Sequence, residues 1–237
     1  MRTIGSRGRV TGRRSLRRSH AARPAPVAKN RKPKGAPKAG NRAEKSEARR
    51  QAIVAAALEE FCARGFAATR IDDVAARAGV AKGTIYLHFD DKEALFREIV
   101  TTMLVPLVAV LEGPPPDVPI REVLGRFFDM FVQEIYSTQR RNVLRLVMTE
   151  GPRFPELAEF HYRHVVERAI TAMRAMLRRA RERGELVDDR LIRFPQLIVA
   201  PAMVAIVWSG LFERFAPLEV DELLRAHLAT LFDGAAP

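Results

Sequence analysis

From Glu44 to the last residue, apolar residues recur at intervals of three and four, and no stretch alternates apolar with polar residues. A helix with one apolar face has this periodicity, whereas a half-buried strand has a period of two. Glycine and proline residues interrupt the pattern where turns are expected. We therefore predict an all-α protein, and its 47% of hydrophobic residues suffices for an ordinary globular core.

The net charge of +12 comes from the first 43 residues. Residues 1–43 hold 14 of the 40 Lys and Arg residues and no Asp or Glu, which leaves 26 basic against 28 acidic residues elsewhere. Because it has almost no large apolar residue, this segment cannot offset the entropy lost on ordering, and we predict a disordered basic tail. The tail is either an arm that binds nucleic-acid phosphates or a non-functional extension from a misassigned start codon.

Motifs for catalysis are missing from the sequence. It has no G-x-S-x-G, no Walker A and no G-x-G-x-x-G motif. His161 and His164 could share a metal ion, but no third ligand has the spacing of a zinc site. The single cysteine, Cys62, excludes an internal disulfide and fits a cytoplasmic protein; we expect it to be buried beside Phe61. We predict no enzyme activity, no metal site and no cofactor.

Two short helices joined by a glycine turn follow a longer first helix. The first helix is expected over 46–64, and the second over Ile71–Ala78, where Thr69 and Asp72 have the spacing of a capping box. Gly79 then supplies the turn, where a residue that can take a positive φ is favoured. This arrangement predicts a helix-turn-helix domain with three helices.

The next segment has the character of a helix that enters a DNA groove. Its apolar side carries Val80, Ile85 and Phe89, and its other side carries Lys82, Thr84, Tyr86 and His88. A helix of this kind must expose short polar side chains to fit a major groove about 12 Å wide. Asp90 or Asp91 then caps a helix that continues to about Leu111, with a bend expected at Pro106.

Residues 46–100 resemble the N-terminal DNA-binding domain of the TetR family of transcriptional regulators. The resemblance rests on a fixed order of short elements: Gly65-Phe66, Asp73-Val74-Ala75, Ala78-Gly79-Val80, Gly83-Thr84-Ile85-Tyr86, His88-Phe89 and Lys92-Glu93. It implies a DNA-binding domain over 44–100 and a helical ligand-binding and dimerisation domain over 101–237. Residues 145–157 are similar, more loosely, to the AcrR/AefR-like branch of the family.

The resemblance also implies which residues contact DNA. The recognition helix maps to Lys82–His88, and the residues carried over by position are Arg70, Lys82, Gly83, Thr84, Tyr86, His88 and Lys92. Lys82 and Lys92 are expected to hold phosphates, since neither lysine has an expected role in the core. The alternative for Tyr86 is packing partly under the domain, and for His88 simple exposure to solvent.

Members of the family are homodimers. The resemblance therefore implies a homodimeric repressor that acts in the cytoplasm, associated with the nucleoid, on a palindromic operator in double-stranded DNA. A small apolar ligand would release it, because ligand and DNA that select different dimer shapes weaken each other's binding. Two other functions stay open from the sequence. One is a weakly specific DNA-coating protein dominated by its tail, and the other is a membrane-anchored regulator.

An uncharged stretch near the C-terminus is either a membrane anchor or a helix of the core or dimer interface. Residues 194–212 are long enough to raise the question of a transmembrane helix, but Pro195, Gln196 and Pro201 interrupt them. A helix that is apolar all round also fits a core or a subunit interface. We predict a homodimer through 190–213 and 219–232, forming an isologous four-helix contact, and no membrane association.

The ligand pocket has the weakest sequence signal. Helices are expected over about 120–137, 141–149 and 155–183. The candidate ligand-contacting residues are Phe127, Phe131, Met148, Tyr162, Met173, Met176, Trp208 and Phe212, with Arg145 and His161 as polar contacts. Methionine and aromatic side chains suit an apolar ligand, although core packing is the alternative for each.

Overall fold

The computed structural model describes residues 39–113 and 117–233, and every element in this part of the chain is helical. The elements are α1 (Ala39–Ala68), α2 (Ile71–Ala78), α3 (Lys82–Tyr86), α4 (Lys92–Met103), α5 (Val105–Glu112), α6 (Ile120–Met130), π1 (Phe131–Tyr136), α7 (Arg140–Glu150), α8 (Pro155–His161), π2 (Tyr162–Val166), α9 (Glu167–Glu182), α10 (Arg190–Arg193), α11 (Gln196–Leu211) and α12 (Val220–Asp233). The all-α prediction is confirmed. Most of the predicted tail lies outside the described residues, so its disorder stays a prediction.

The first helix is longer than the sequence indicated. α1 begins at Ala39 rather than near residue 46, and it continues beyond Gly65 to Ala68. Gly65 nevertheless interrupts it, since its φ of 78° is not helical. The expected end of the first helix is therefore present as a kink, and one further short turn follows it.

The expectation that Cys62 is buried was wrong, because Cys62 is exposed. The buried stripe of α1 runs through Ile53, Ala57 and Phe61, all at most 1% exposed. Cys62 follows Phe61 on the side of α1 that faces solvent, together with Ala63 and Arg64, which are also exposed.

α2 has the bounds that the sequence predicted, and Gly79 ends it in the left-handed conformation with φ 65°. The predicted capping box is wrong. Arg70 is the N-cap residue of α2, and no side chain caps the helix. The Thr69 hydroxyl donates instead to the carbonyl oxygens of Glu60, at 3.1 Å, and Gly65, at 2.8 Å. The Gly65 carbonyl belongs to the last four of α1, which lack helical partners, whereas the Glu60 carbonyl lies before the kink.

The connecting helix bends close to Pro106, as predicted. Asp91 is its N-cap residue, and its Oδ1 accepts from the Ala94 N–H at 2.6 Å. α4 ends at Met103, and α5 begins at Val105 with a proline in its first turn. Leu104 is the junction between them. A proline is tolerated there because the first turn of a helix needs no N–H donor.

Among the described residues, Lys92–Glu112 is the one helical stretch long and apolar enough to cross a membrane by length and composition. One such stretch is weak evidence, since the core helix of a globular protein passes the same test, and 33% of its apolar window is buried within this protein. The stretch singled out from the sequence, 194–212, contains α11, a helix of 16 residues. A spanning helix needs about 20.

The C-terminal helices follow the predicted segments with two irregular turns. α6 passes into π1, and α8 passes through π2 into α9, so each predicted long helix contains one π-helical turn. α7 packs against α1, and α8 packs against α4, so the C-terminal helices contact the N-terminal ones directly through α1 and α4. The predicted boundary at residue 100 falls inside α4, and the domain limits stay predictions.

Candidate nucleic-acid interface and internal cavity

α3 is anchored on one side and exposed on the other. Ile85 is fully buried and Phe89 is nearly so, whereas Tyr86 is 48% exposed. Lys82 and Gly83 are exposed, and Thr84 and His88 are half-buried. The polar side predicted for DNA contact is therefore presented together at the surface.

Lys82 is held at the start of α3 by an ion pair. Its Nζ lies 2.9 Å from Asp72 Oδ1 on α2, and both side chains are about half exposed. The hydrogen bond to Asp72 raises the pKa of Lys82. Arg70 is exposed at the N-cap of α2, close enough to act electrostatically on the same ammonium group. Two cations of the predicted set thus lie near each other.

Lys92 has a structural role that the sequence did not suggest. Its Nζ donates to the carbonyl oxygens of Phe66, at 2.8 Å, and Ala67, at 3.0 Å, and it lies 4.7 Å from the centroid of the Phe66 ring. It therefore satisfies carbonyls at the end of α1. An ammonium group has three N–H donors, so one is left, and a phosphate contact from Lys92 stays a prediction.

A network of ion pairs fixes α2 against α1. Glu60 is 3% exposed, and Arg77 donates to its Oε1 at 2.6 Å. Arg64 lies 3.1 Å from Glu60 Oε2 and 3.1 Å from Asp73 on α2. The helix that supports α3 is thereby held in one orientation relative to the rest of the domain.

Sequence reasoning missed Leu87, the C-cap residue of α3. Its side chain is 82% exposed beside Tyr86, which is unusual for a large apolar residue. The available signal was an apolar residue between two polar ones on the helix assigned to DNA recognition. Apolar side chains contact thymine methyl groups in major grooves, so Leu87 belongs with the candidate interface.

A cavity of about 160 Å³ lies among the helices from α5 to α11, beside the α4–α5 junction. It is lined by Leu104, Leu107, Val108, Leu111, Phe127, Met130, Phe131, Ile135, Leu144, His161, Val165, Val166, Ala169, Ile170, Met173, Val199, Ala202 and Met203. Four of the ten candidate ligand residues are among them: Phe127, Phe131, His161 and Met173. Apart from Phe131, the residues that the α4–α5 junction and the two π turns contribute to the cavity had no signal in the sequence.

The other six candidates do not line this cavity. Met176 is buried in the core, and Met148, Tyr162 and Phe212 are exposed. Arg145 joins α7 to α11 by donating to Ser209 Oγ at 2.8 Å, and Trp208 donates from Nε1 to the carbonyl of Ala216 at 2.6 Å. A ligand contact from any of these six stays a prediction.

His161 is the polar member of the cavity wall. It is 8% exposed, and its Nδ1 has no hydrogen-bond partner among the described residues. Burial lowers the pKa of His161 to about 4. The imidazole is therefore neutral at physiological pH.

α11 carries a row of exposed apolar side chains. Leu197, Val204, Val207 and Leu211 are each between 43% and 60% exposed. Their spacings of seven, three and four place them on one face of the helix. Contiguous apolar surface of this kind marks an interaction site, and it lies within the segment predicted to form the dimer.

Two regions of the chain match known protein families. Residues 53–99 match the bacterial regulatory proteins of the tetR family, and residues 114–227 match the tetracyclin repressor-like C-terminal domain. The HTH-type transcriptional repressor SCO4008 of Streptomyces coelicolor is 31% identical over 144 residues, covering 60% of this chain and 69% of that protein. The chain belongs to the TetR family. TetR proteins are transcriptional regulators rather than enzymes, and the finer AcrR/AefR-like assignment stays a prediction.

Solved structures of TetR-family proteins share this fold. NalD of Pseudomonas aeruginosa, a repressor of a multidrug efflux pump, has a TM-score of 0.65 at 24% identity, with 80% of this chain and 98% of NalD covered. SmeT in complex with triclosan has a TM-score of 0.64 at 23% identity, with 80% and 95% covered. Identity this low establishes the fold alone. The chain spans 42% of the length of the first curated relatives it matches.

Proposed function

We propose that this TetR-family regulator binds a specific operator in double-stranded DNA through α3. The observation that carries the proposal is the placement of Lys82, Thr84, Tyr86 and His88 on the outer side of a short helix whose inner side is fixed by Ile85. Lys82 and Arg70 bring positive charge to the same surface. Phosphate contacts would position the helix, and base-edge contacts would give sequence preference.

The DNA-binding unit is a homodimer, formed by α11 and α12. The exposed apolar face of α11 supports this, because such a surface is costly to leave in water. A twofold dimer carries two copies of α3 related by symmetry, and its operator is therefore palindromic.

The regulator represses its target in the cytoplasm, at the nucleoid, and a small apolar ligand in the cavity releases it. The cavity supports this proposal, because its wall includes the α4–α5 junction and α4 begins directly after the helix-turn-helix. A ligand that changes this junction would alter the position of α3 in the dimer. Ligand and DNA would then weaken each other's binding by the same factor.

The experiment measures binding of the full chain to DNA from upstream of its own gene and to scrambled DNA of equal length, across a salt series. We expect a preference of about a hundredfold or more for an operator. Tyr86→Ala should reduce that preference, whereas Tyr162→Ala should leave it unchanged, since Tyr162 is an exposed tyrosine on π2.

A second outcome favours the alternative function. A chain shortened to begin at Ala39 lacks 13 of the 14 basic tail residues but keeps all described helices. If neither protein prefers any genomic segment and affinity disappears with the tail, the protein is a weakly specific DNA-coating protein. If the shortened chain keeps its preference and only the salt dependence flattens, operator recognition belongs to α3.

A further inference from the structure

The cavity is apolar except at one point. Of its 18 lining residues, 17 have aliphatic, aromatic or methionine side chains, and His161 is the remaining one. Its volume of about 160 Å³ is close to that of an engineered cavity, about 150 Å³, that binds benzene. The space therefore fits one ring with a small substituent.

The Nδ1 of His161 differs from the ring nitrogens of the other two histidines in the C-terminal helices. In the C-terminal helices, His164 Nδ1 lies 2.9 Å from the Phe160 carbonyl oxygen, and His227 Nε2 lies 2.9 Å from the Leu197 carbonyl oxygen. His161 is more deeply buried than either, yet its Nδ1 has no partner in the described part of the chain. A buried polar atom without a hydrogen bond costs about 1–3 kcal/mol, so its presence needs an explanation.

Both π-helical turns meet at this cavity. Phe131 and Ile135 line it from π1, and Val165 and Val166 line it from π2. His161 is the residue directly before π2. π-Helical turns disturb the regular hydrogen bonding of a helix and occur often at functional sites. Their convergence with an unpartnered imidazole indicates a site shaped for a ligand.

We propose that the cavity binds an uncharged molecule of about one substituted ring, whose single hydroxyl group forms a hydrogen bond with Nδ1 of His161. The inference rests on the proposed function in treating this cavity as the effector site. No lining residue carries an opposite charge that could compensate an ionic ligand, and an unpaired charge in an apolar site is costly. A hydroxyl both donates and accepts, so it suits either tautomer of the imidazole.

Phenol and toluene test the inference, because they share a ring and differ in hydroxyl against methyl. Binding of each to the full chain is measured by titration calorimetry without DNA, for the wild type and for His161→Phe. The two probes differ in hydration, and comparing the ratio of the phenol to the toluene affinity between the two proteins cancels that difference. We expect this ratio to fall by about tenfold or more in His161→Phe, since the hydrogen bond is lost.

Two further variants and one spectrum separate a lost contact from a damaged fold. His164→Phe removes an exposed histidine three residues away and should leave the ratio unchanged. His161→Gln keeps a polar side chain and should retain part of the preference for phenol. In the wild type, phenol should shift the imidazole nitrogen resonances of His161, and toluene should shift them much less.

Three results would overturn the inference: an equal ratio in the wild type and His161→Phe, no shift of the His161 resonances with phenol, or no binding of either probe at millimolar concentration. Operator binding is measured separately with and without phenol. If phenol binds with the expected preference and operator affinity is unchanged, the ligand class stands and the effector role in the proposed function fails. If the chain binds no operator, the DNA-binding proposal fails without affecting the affinity ratio.

Discussion

At the scale of single residues, the buried imidazole of His161 makes folding stability depend on pH. Its pKa is about 4 in the folded protein, against an ordinary value of 6.5 for an exposed histidine in the unfolded chain. As pH falls from 6.5 toward 4, the unfolded chain takes up a proton that the folded protein does not. Stability therefore falls over this range, by up to about 3 kcal/mol.

Denaturant unfolding at a series of pH values measures this effect. His161→Phe should lose the part of the slope between pH 6.5 and 4, because it has no group to titrate. His164→Phe is the matched control, since His164 is exposed. Parallel pH profiles for the wild type and His161→Phe would contradict the prediction.

Two glycines of the helix-turn-helix should respond oppositely to alanine. Gly79 has φ 65°, and a Cβ there would meet no atom within 4 Å, so the cost of Gly79→Ala is the backbone strain of about 1–2 kcal/mol. Gly83 lies inside α3 with equally open space, and Gly83→Ala should stabilise the fold by up to about 1 kcal/mol. Thermal unfolding compares the two.

For operator affinity, the order of the two variants should be the reverse of their order in stability. A methyl group at position 83 would stand on the exposed start of α3, where the proposed interface approaches the phosphates. We expect Gly83→Ala to lower operator affinity although it stabilises the protein. Folded Gly79→Ala should bind at close to wild-type affinity, and loss of operator binding in that variant alone would place the interface elsewhere.

At the scale of helices, α8 joins the cavity to the DNA-binding helices. It has seven residues, about 10 Å, and His161 at its end lines the cavity. Phe154 precedes its start, and its ring lies 4.9 Å from the ring of Phe66, whose carbonyl accepts from Lys92 on α4. A shift of α8 would therefore change the contacts of both α1 and α4.

Phe154→Ala should weaken the coupling between the two sites. It removes the ring contact at one end of α8 and leaves the cavity wall intact. We expect phenol affinity to stay within about threefold of the wild type, while the effect of phenol on operator affinity decreases. Phe154→Leu keeps much of the packing and serves as the control. An unchanged effect of phenol on operator binding in Phe154→Ala would show that α8 does not carry the signal.

The sequence determined most helices of this fold because their limits depend on local chemistry. α2 ends at Gly79, α4 begins at the Asp91 cap, and the connecting helix breaks beside Pro106. The predictions for Cys62 and Thr69 were wrong. Exposure of Cys62 depends on how α1 packs, and the role of Thr69 depends on its hydrogen bonds to carbonyl groups of α1. The residues predicted to contact DNA belong to one contiguous motif, and their contact with DNA stays a prediction.

The cavity was predictable only in part. Its walls come from segments between Leu104 and Met203, and side chains distant in sequence meet there through the crossing of helices. Met148 and Tyr162 have the right chemistry for such a wall but point outward. Each π turn adds a residue to its helix and so changes the face on which the following residues lie. The periodicity of apolar residues does not reveal where such a turn occurs.

At the scale of the whole molecule, the proposed homodimer depends on the outer face of α11. Val204 lies in the middle of that face and is 51% exposed. In an isologous interface each residue near the twofold axis faces its own copy, so Val204→Glu places two like charges in one apolar contact. The exposed position means that the folded protomer tolerates the substitution.

We expect Val204→Glu to be a folded monomer by circular dichroism and analytical ultracentrifugation. Its operator affinity should fall by about a hundredfold or more, because each protomer then binds a single half-site without the partner's contribution. Val110→Glu is the control, since Val110 is also an exposed valine, at 64%, and lies on α5, outside the predicted interface. A dimeric Val204→Glu protein with wild-type operator affinity would require a different dimer surface, and the exposed face of α11 would then need another occupant.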